Sequence, residues 1–311
     1  MSRLPYKHPF LSFSALTQHL VELGMNGDKD DITQRLMDVG YQRLKPYWTL
    51  TDSGKLVPNE FSVVWNRYCF DRQLRLVILD AIERIEVGVR NRLVHYLAEE
   101  YNDPFAYCSA SLFTCDVSQW ETWFRKIQTA ATKSKIKQVI DFRTTYSDDA
   151  LPIWLVSEVM DFGSLVFLYQ HVKPSIQKKV SRSFHLPAPD ILLSWLRSLN
   201  DVRNACAHHN RVWNRTWVKT PCLPKNEANW YCTYDETTGE WIPSDTKVCS
   251  FNMSKTGGIL TVCRRLMQDV ASTSRWKEER LFPLFKQPRF GCVPPHWLGL
   301  PNSWMTHPLW R

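Results

Sequence analysis

Between Phe61 and Tyr101, apolar side chains return every three or four residues: Val64, Tyr68, Leu74, Ile78, Ile82, Ile85, Val89 and Leu93. That is the period of a helix with one buried stripe. The intervening Asp71, Arg72, Arg75, Asp80, Glu83, Arg84 and Arg90 read as its solvated face. Its length reads as two consecutive helices or one long kinked helix. Its apolar stripe needs other helices to cover it, so the chain must build a helical bundle around it.

The remaining sequence supplies such helices. Ser14–Leu23 and Asp30–Val39 are helical in pattern and stop at Gly24 and Gly40. After them come the aromatic and basic YQRLKPYW and the turn-rich TDSGKLVPNE. Ser118-x-x-Glu121 reads as a capping box opening a helix to about Thr132. A further helix covers Ile136–Thr145. Pro152 opens an apolar helix that breaks around Gly163, and Pro174 opens a short one carrying Lys178, Lys179 and Arg182. A helix from Asp190 to about His209 buries Leu192, Leu193, Leu196, Leu199, Val202 and Cys206. Residues 216–250 are rich in turn formers. YCTYDETTGEWIPS reads there as a short β-hairpin near 230–243, turning at Glu236–Gly239. A last helix runs from about Leu260 to Ala271, and the Pro- and Trp-rich tail after Pro283 reads as an irregular clasp. The expected fold is all-α: a helical head over 1–50, a helical core over 51–215 and an extension over 216–311.

A formal charge of +8 favours polyanionic partners. The nine cysteines contain no CxxC pair, which argues against zinc-ribbon or finger spacing. Cys222, Cys232, Cys249 and His296 are the remaining metal candidates, and the reading expects neither metal nor cofactor. The opening MSRLPYKHPF lacks the apolar core of a secretory signal. No stretch reaches the roughly 20 apolar residues of a membrane span. A reduced cytoplasmic protein is the expectation, with no membrane partner.

Two stretches share one pattern. IERIEVGVRNRLVHYL contains Arg90-Asn91-x-x-x-His95, and LNDVRNACAHHNRVWNR contains Arg203-Asn204-x-x-x-His208. In a helix, residues four apart share a face and residues five apart are about 140° apart. Asn and His therefore share a face, while Arg flanks it on a stem long enough to reach round. The set suits phosphodiester chemistry on RNA. Histidine exchanges a proton near neutral pH. Arginine holds phosphate and stabilises charge growing on its oxygens. Asparagine orients either group. The RNA 2′-OH is the nucleophile, so no metal is needed. The bland reading is a three-position coincidence on two solvated helix faces, which the pairing of copies in a basic chain disfavours. His209, Arg211 and Arg215, with Lys133, Lys135 and Lys137, are candidates for gripping RNA. Trp213 could stack on a base, but core packing is the stronger reading, and Cys206 falls on the buried stripe.

Several blocks resemble the bacterial AbiD/AbiF-like abortive-infection family: YQRLKPYW, FDRQLRLVILDAIERIEVGVRNRLVHYLAEEY, PIWLVSEVMDFGSLVFLY, LNDVRNACAHHNRVWNR and LGLPNSW. They occur in the family's order and cover most of the chain. The resemblance implies the HEPN superfamily, an all-helical group with an R-x4–6-H motif and many metal-independent RNA endonucleases. It implies phage defence and a toxin-like ribonuclease, in some members restrained by a small structured RNA. The family motif falls on Arg203, Asn204 and His208, and a second on Arg90 and His95, which could meet within one chain or across a homodimer. Glu83 and Glu86 resemble polar HEPN positions, although by residue pattern alone they read as an exposed charged face. A rival reading is a non-catalytic module gripping a structured RNA.

Overall fold

A computed structural model describes residues 9–225, 227–244 and 248–311. The fold is all-α, with twelve α-helices and two short two-stranded sheets among the described residues. The chain forms two compact units, one of Met1–Leu74 with Pro283–Pro294, the other of Arg75–Phe282 with Pro295–Arg311. The division between the units falls inside the helix Phe61–Tyr101.

The first unit begins with α1 (Phe13–Glu22), capped by the Ser12 hydroxyl, which accepts from the Ala15 N–H. α2 (Lys29–Val39) is capped by Asp28, which accepts from the Asp31 N–H at 2.8 Å. It ends at Gly40 in the left-handed region, φ 82°, where glycine is favoured. α3 (Tyr41–Leu44) and the antiparallel pair β1 (Thr49–Leu50) and β2 (Leu56–Val57) follow. α4 (Phe61–Tyr101) is one continuous helix of 41 residues. All eight positions of its expected stripe are buried. The expected polar face needs one correction, because Asp71 and Arg75 are buried. Asp71 accepts a 2.6 Å hydrogen bond from the buried Tyr47 hydroxyl. A bonded carboxylate can occupy a core position that charge alone would forbid. Phe70 packs edge-on against Phe285 and Phe290 at 5.3 and 5.4 Å.

In the second unit, α5 (Val117–Lys133) starts two residues earlier than the sequence pattern suggested. The box is Asp116 and Gln119, not Ser118 and Glu121; the Asp116 N–H donates to the Gln119 side chain at 3.4 Å. Asp and Ser cap equally well, so the sequence offers both registers and the chain takes the longer helix. α6 (Lys137–Thr145) follows. α7 (Ile153–Val156) runs into a short turn, and α8 (Phe162–His171) restarts after Asp161. The break thus lies before Gly163, because the Asp161 carboxylate caps α8 by accepting from the Ser164 N–H at 2.8 Å. α9 (Pro174–Ser183) and α10 (Pro189–Ala207) complete the core helices. On α10, Trp195 is fully buried and Leu193 only half-buried. β3 (Cys232–Asp235) and β4 (Glu240–Pro243) form the expected hairpin.

α11 (Thr256–Val270) begins four residues before the expected Leu260, with two glycines in its first turn. Gly257 is there for space: a Cβ would lie 2.6 Å from the Leu298 carbonyl. α12 (Phe282–Lys286) follows. Trp304 and Trp310 are buried edge-to-face at 4.9 Å, so the tail is a packed aromatic clasp without long helices. Among the described residues, no helix is long and apolar enough to cross a membrane.

Candidate active site

The second RNxxxH copy lies where α10 stops. The Asn210 N–H donates to the Ala205 carbonyl at 2.8 Å, and the His209 N–H to the Cys206 carbonyl at 3.0 Å. This pair of bonds is a Schellman cap, with His209 at the left-handed position, φ 58°. His208 is therefore the cap residue of α10, not part of its last turn. Its N–H donates to the Asn204 carbonyl at 3.0 Å and its side chain is exposed. Buried Ala205 and Cys206 fix the helix beneath. Arg203 is half-buried on the flank and donates to Asn204 Oδ1 at 3.4 Å.

The first copy is arranged differently. Arg90 Nη2 donates to Glu86 Oε1 at 2.6 Å and to the Met160 carbonyl at 3.2 Å. Burial pushes the Glu86 carboxyl above its ordinary value; the charges of Arg90 and Arg203 oppose that, and Asp161 reinforces it. Glu86 thus lies where α4, α10 and the start of α8 bring their charges together. Asp161 Oδ2 pairs with Lys126 Nζ of α5 at 2.7 Å. Burial alone would raise Asp161, but bonds from Lys126 and Ser164 hold it below its usual range. A Cβ at Gly163 would lie 3.6 Å from Asp161 Oδ1 and 3.7 Å from Asn200 Oδ1, so Asn200 of α10 borders the same cluster.

The cluster therefore contains Glu86, Arg90, Lys126, Asp161, Asn200 and Arg203. Lys126, Asp161 and Asn200 carry no local motif that marks a site. The Asp-x-x-Ser cap at Asp161 was the one available signal, and it marks a helix start. Glu86 is more than an exposed charge, whereas Glu83 is exposed.

Arg90 does not reach round to His95, because Glu86 and the Met160 carbonyl hold it on its own side of α4. Asn91 and His95 are exposed. His95 meets the ring of its neighbour Tyr96 edge-on at 5.4 Å. Among the described residues, no hydrogen bond, ion pair or ring contact joins His95 to His208. The charges of both arginines act on Glu86, and the two imidazoles are both exposed.

His209 is exposed beside His208. Arg211 lies 6.0 Å over the Trp213 ring and Arg215 lies 4.3 Å over that of Trp217. Both tryptophans are buried, and Trp213 meets Trp297 edge-on at 5.4 Å, so Trp213 is core. Lys133, Lys135 and Lys137 are exposed where α5 passes into α6. Among the described residues, no group of three or more His, Cys, Asp and Glu could hold a metal ion.

Chemically, the cluster offers two guanidinium charges and an ammonium, partly balanced by two carboxylates. An exposed imidazole stands one turn beyond Arg203. Such a surface attracts an anion and can exchange a proton beside it.

No curated protein and no solved structure matches the chain. Residues 34–214 match the family model described as Abi-like protein. The match covers more than half of the chain and includes both RNxxxH copies and the Glu86 cluster. The chain therefore belongs to the Abi-like protein family of abortive infection.

Proposed function

We propose that the chain is a metal-independent endoribonuclease of the HEPN type, acting in phage defence, with Arg203 and His208 at its centre. The observation that carries the reading is that the charges of Arg90 and Arg203 both act on Glu86. Arg90 is bonded to Glu86, and the charge of Arg203, on another helix, also acts on that carboxylate, so a phosphodiester placed there would feel both cations.

In this reading Arg203 holds a phosphate oxygen, and Arg90 adds its charge when RNA draws it from Glu86. Asn204 orients the phosphate or Arg203. His208 removes the proton from the 2′-OH, and the O2′ attacks phosphorus. The P–O5′ bond breaks, and the 5′-oxygen takes a proton from water or from His208 of a second copy in a homodimer. The products carry 2′,3′-cyclic phosphate and 5′-hydroxyl ends. His209, Arg211, Arg215, Lys133, Lys135 and Lys137 would guide RNA, including a small structured RNA that restrains the protein. In this reading Asn91 and His95 are given no step at the Arg203–His208 centre.

The test is incubation of single-stranded RNA with purified protein in EDTA, with Arg203→Ala and His208→Ala beside the parent. The reading expects cut products from the parent and, in either variant, a loss of about 100-fold or more at the cuts made by the Arg203–His208 centre. Tight binding without cut ends would overturn it in favour of the non-catalytic RNA module.

A further inference from the structure

Away from the Glu86 cluster, a second imidazole is held in an arrangement suited to proton transfer. α9 ends in its own Schellman cap, with the Leu186 N–H bonded to the Ser181 carbonyl and the His185 N–H to that of Arg182. This places His185 in the left-handed region, φ 49°. Its side chain is 79% exposed, yet Nδ1 lies 2.8 Å from Asp269 Oδ1, whose side chain is only 10% exposed. Arg265 Nη1 holds the other oxygen of that carboxylate at 2.8 Å. Arg265 Nη2 also donates to the carbonyls of Phe184 and His185. With a carboxylate accepting at Nδ1, neutral His185 keeps its proton there and presents a basic Nε2 to solvent. A buried carboxylate behind an exposed imidazole is the usual way to orient a general base.

His95 faces the same ground. On α4, Gly88, Arg92, His95 and Glu99 follow at helical spacing and form one stripe. A Cβ on Gly88 would collide with Val270 of α11. Arg92 donates to the Asp269 carbonyl at 2.7 Å and stacks over the Phe184 ring at 4.1 Å. Glu99 pairs with Lys179 of α9 at 2.9 Å. Exposed His95 sits between residues that touch the end of α11 and residues that touch α9. Exposed Arg182 follows Lys179 by three residues on α9.

We propose that His185, oriented by Asp269, and His95 form a second acid–base site for RNA along the seam of α4 and α9, with Lys179 and Arg182 gripping phosphate. It rests on the reading of the chain as a ribonuclease and adds a second cutting centre, separate from Arg203 and His208. His185 Nε2 takes the 2′-OH proton and the O2′ bonds to phosphorus. The P–O5′ bond breaks, and the leaving 5′-oxygen takes a proton from protonated His95. The two imidazoles exchange protonation states, and the products again carry 2′,3′-cyclic phosphate and 5′-hydroxyl ends.

The experiment is end-mapped cleavage of a long single-stranded RNA in EDTA by the full chain. The variants are His208→Ala, His185→Asn, His95→Ala and Asp269→Asn, with His185→Asn also made in the His208→Ala background. Asparagine tolerates the left-handed backbone, so His185→Asn removes the base without straining the turn. Circular dichroism checks the fold of each variant. The proposal expects His208→Ala to retain a subset of cuts, which His185→Asn in that background reduces about 100-fold. His95→Ala should reduce the same cuts, and Asp269→Asn should weaken them with a shifted pH profile. If His208→Ala abolishes every cut, or His185→Asn leaves the parent's cut map unchanged, the second site is overturned while the ribonuclease reading stands. A parent that cuts no RNA overturns both.

Discussion

Arg90 Nη2 lies 2.6 Å from Glu86 Oε1, one turn back along α4, and both side chains are mostly buried, at 13% and 15% exposure. The pair is shielded enough to matter, unlike an exposed i,i+4 pair worth a few tenths of a kcal/mol. Removing one partner leaves the other charge half-buried. Arg90→Ala and Glu86→Gln should each destabilise the chain by about 2 kcal/mol in urea unfolding. The double variant should lose less than the sum, by about 1 kcal/mol or more. Strict additivity would mean that the ion pair contributes nothing.

Gly88 sets how closely α4 meets the end of α11. A Cβ there would lie 2.4 Å from Val270 Cγ1 and 2.9 Å from Val270 Cβ. Alanine gains up to about 1 kcal/mol over glycine inside a helix. Overpacking against a stiff β-branched neighbour costs about 1–3 kcal/mol. The clash should win, so Gly88→Ala should lower the melting temperature. Adding Val270→Ala should recover part of that loss. A Gly88→Ala variant as stable as the parent would show that α11 can move away freely.

Lys133, Lys135 and Lys137 are exposed, and the binding reading assigns them to phosphate contacts. Each phosphate contact on a single strand contributes about 0.7 to the slope of log affinity against log salt. The triple alanine variant should therefore bind single-stranded RNA more weakly and with a slope lower by about 2. Fluorescence anisotropy at several salt concentrations reads this directly. An unchanged slope would place the RNA path elsewhere.

Much of the fold was legible because apolar periodicity depends on local sequence. The α4 stripe from Val64 to Leu93 is buried at every expected position. The Glu236–Gly239 turn joins the expected strands. Asp71 escaped because its partner, Tyr47, lies 24 residues away, and no local pattern announces a long-range bond. The α11 start escaped because two glycines look unhelical until Leu298 is seen against one of them. For the candidate site, Arg203 and Arg90 were found as types at a spacing. The action of both charges on Glu86, and the recruitment of Lys126 and Asp161, depend on how α5 and the start of α8 lie against α4 and α10. Five-residue spacing puts His95 about 140° from Arg90, and the Glu86 bond settles which way the arginine turns.

His307 supplies a pH test of the C-terminal clasp. Its side chain is fully buried, with Trp241 at 4.4 Å and Phe251 at 4.6 Å, both edge-on. Nδ1 accepts the Leu309 N–H at 3.2 Å, which leaves the proton of the neutral ring on Nε2. Burial pushes the imidazole down to about 4. The unfolded chain protonates this group near 6.5, so between 6.5 and 4 the unfolded state binds the extra proton. Its contribution is complete above pH 6.5 and falls away as pH drops toward 4, by about 3 kcal/mol over the window. His307→Gln should be less stable than the parent at pH 7.5, because it loses the packed ring. The gap should narrow as pH falls through that window, measured by urea midpoints at pH 7.5, 6.5, 5.5 and 4.5. A gap that stays constant across the series would mean that His307 titrates alike in both states, and that the clasp does not hold it neutral.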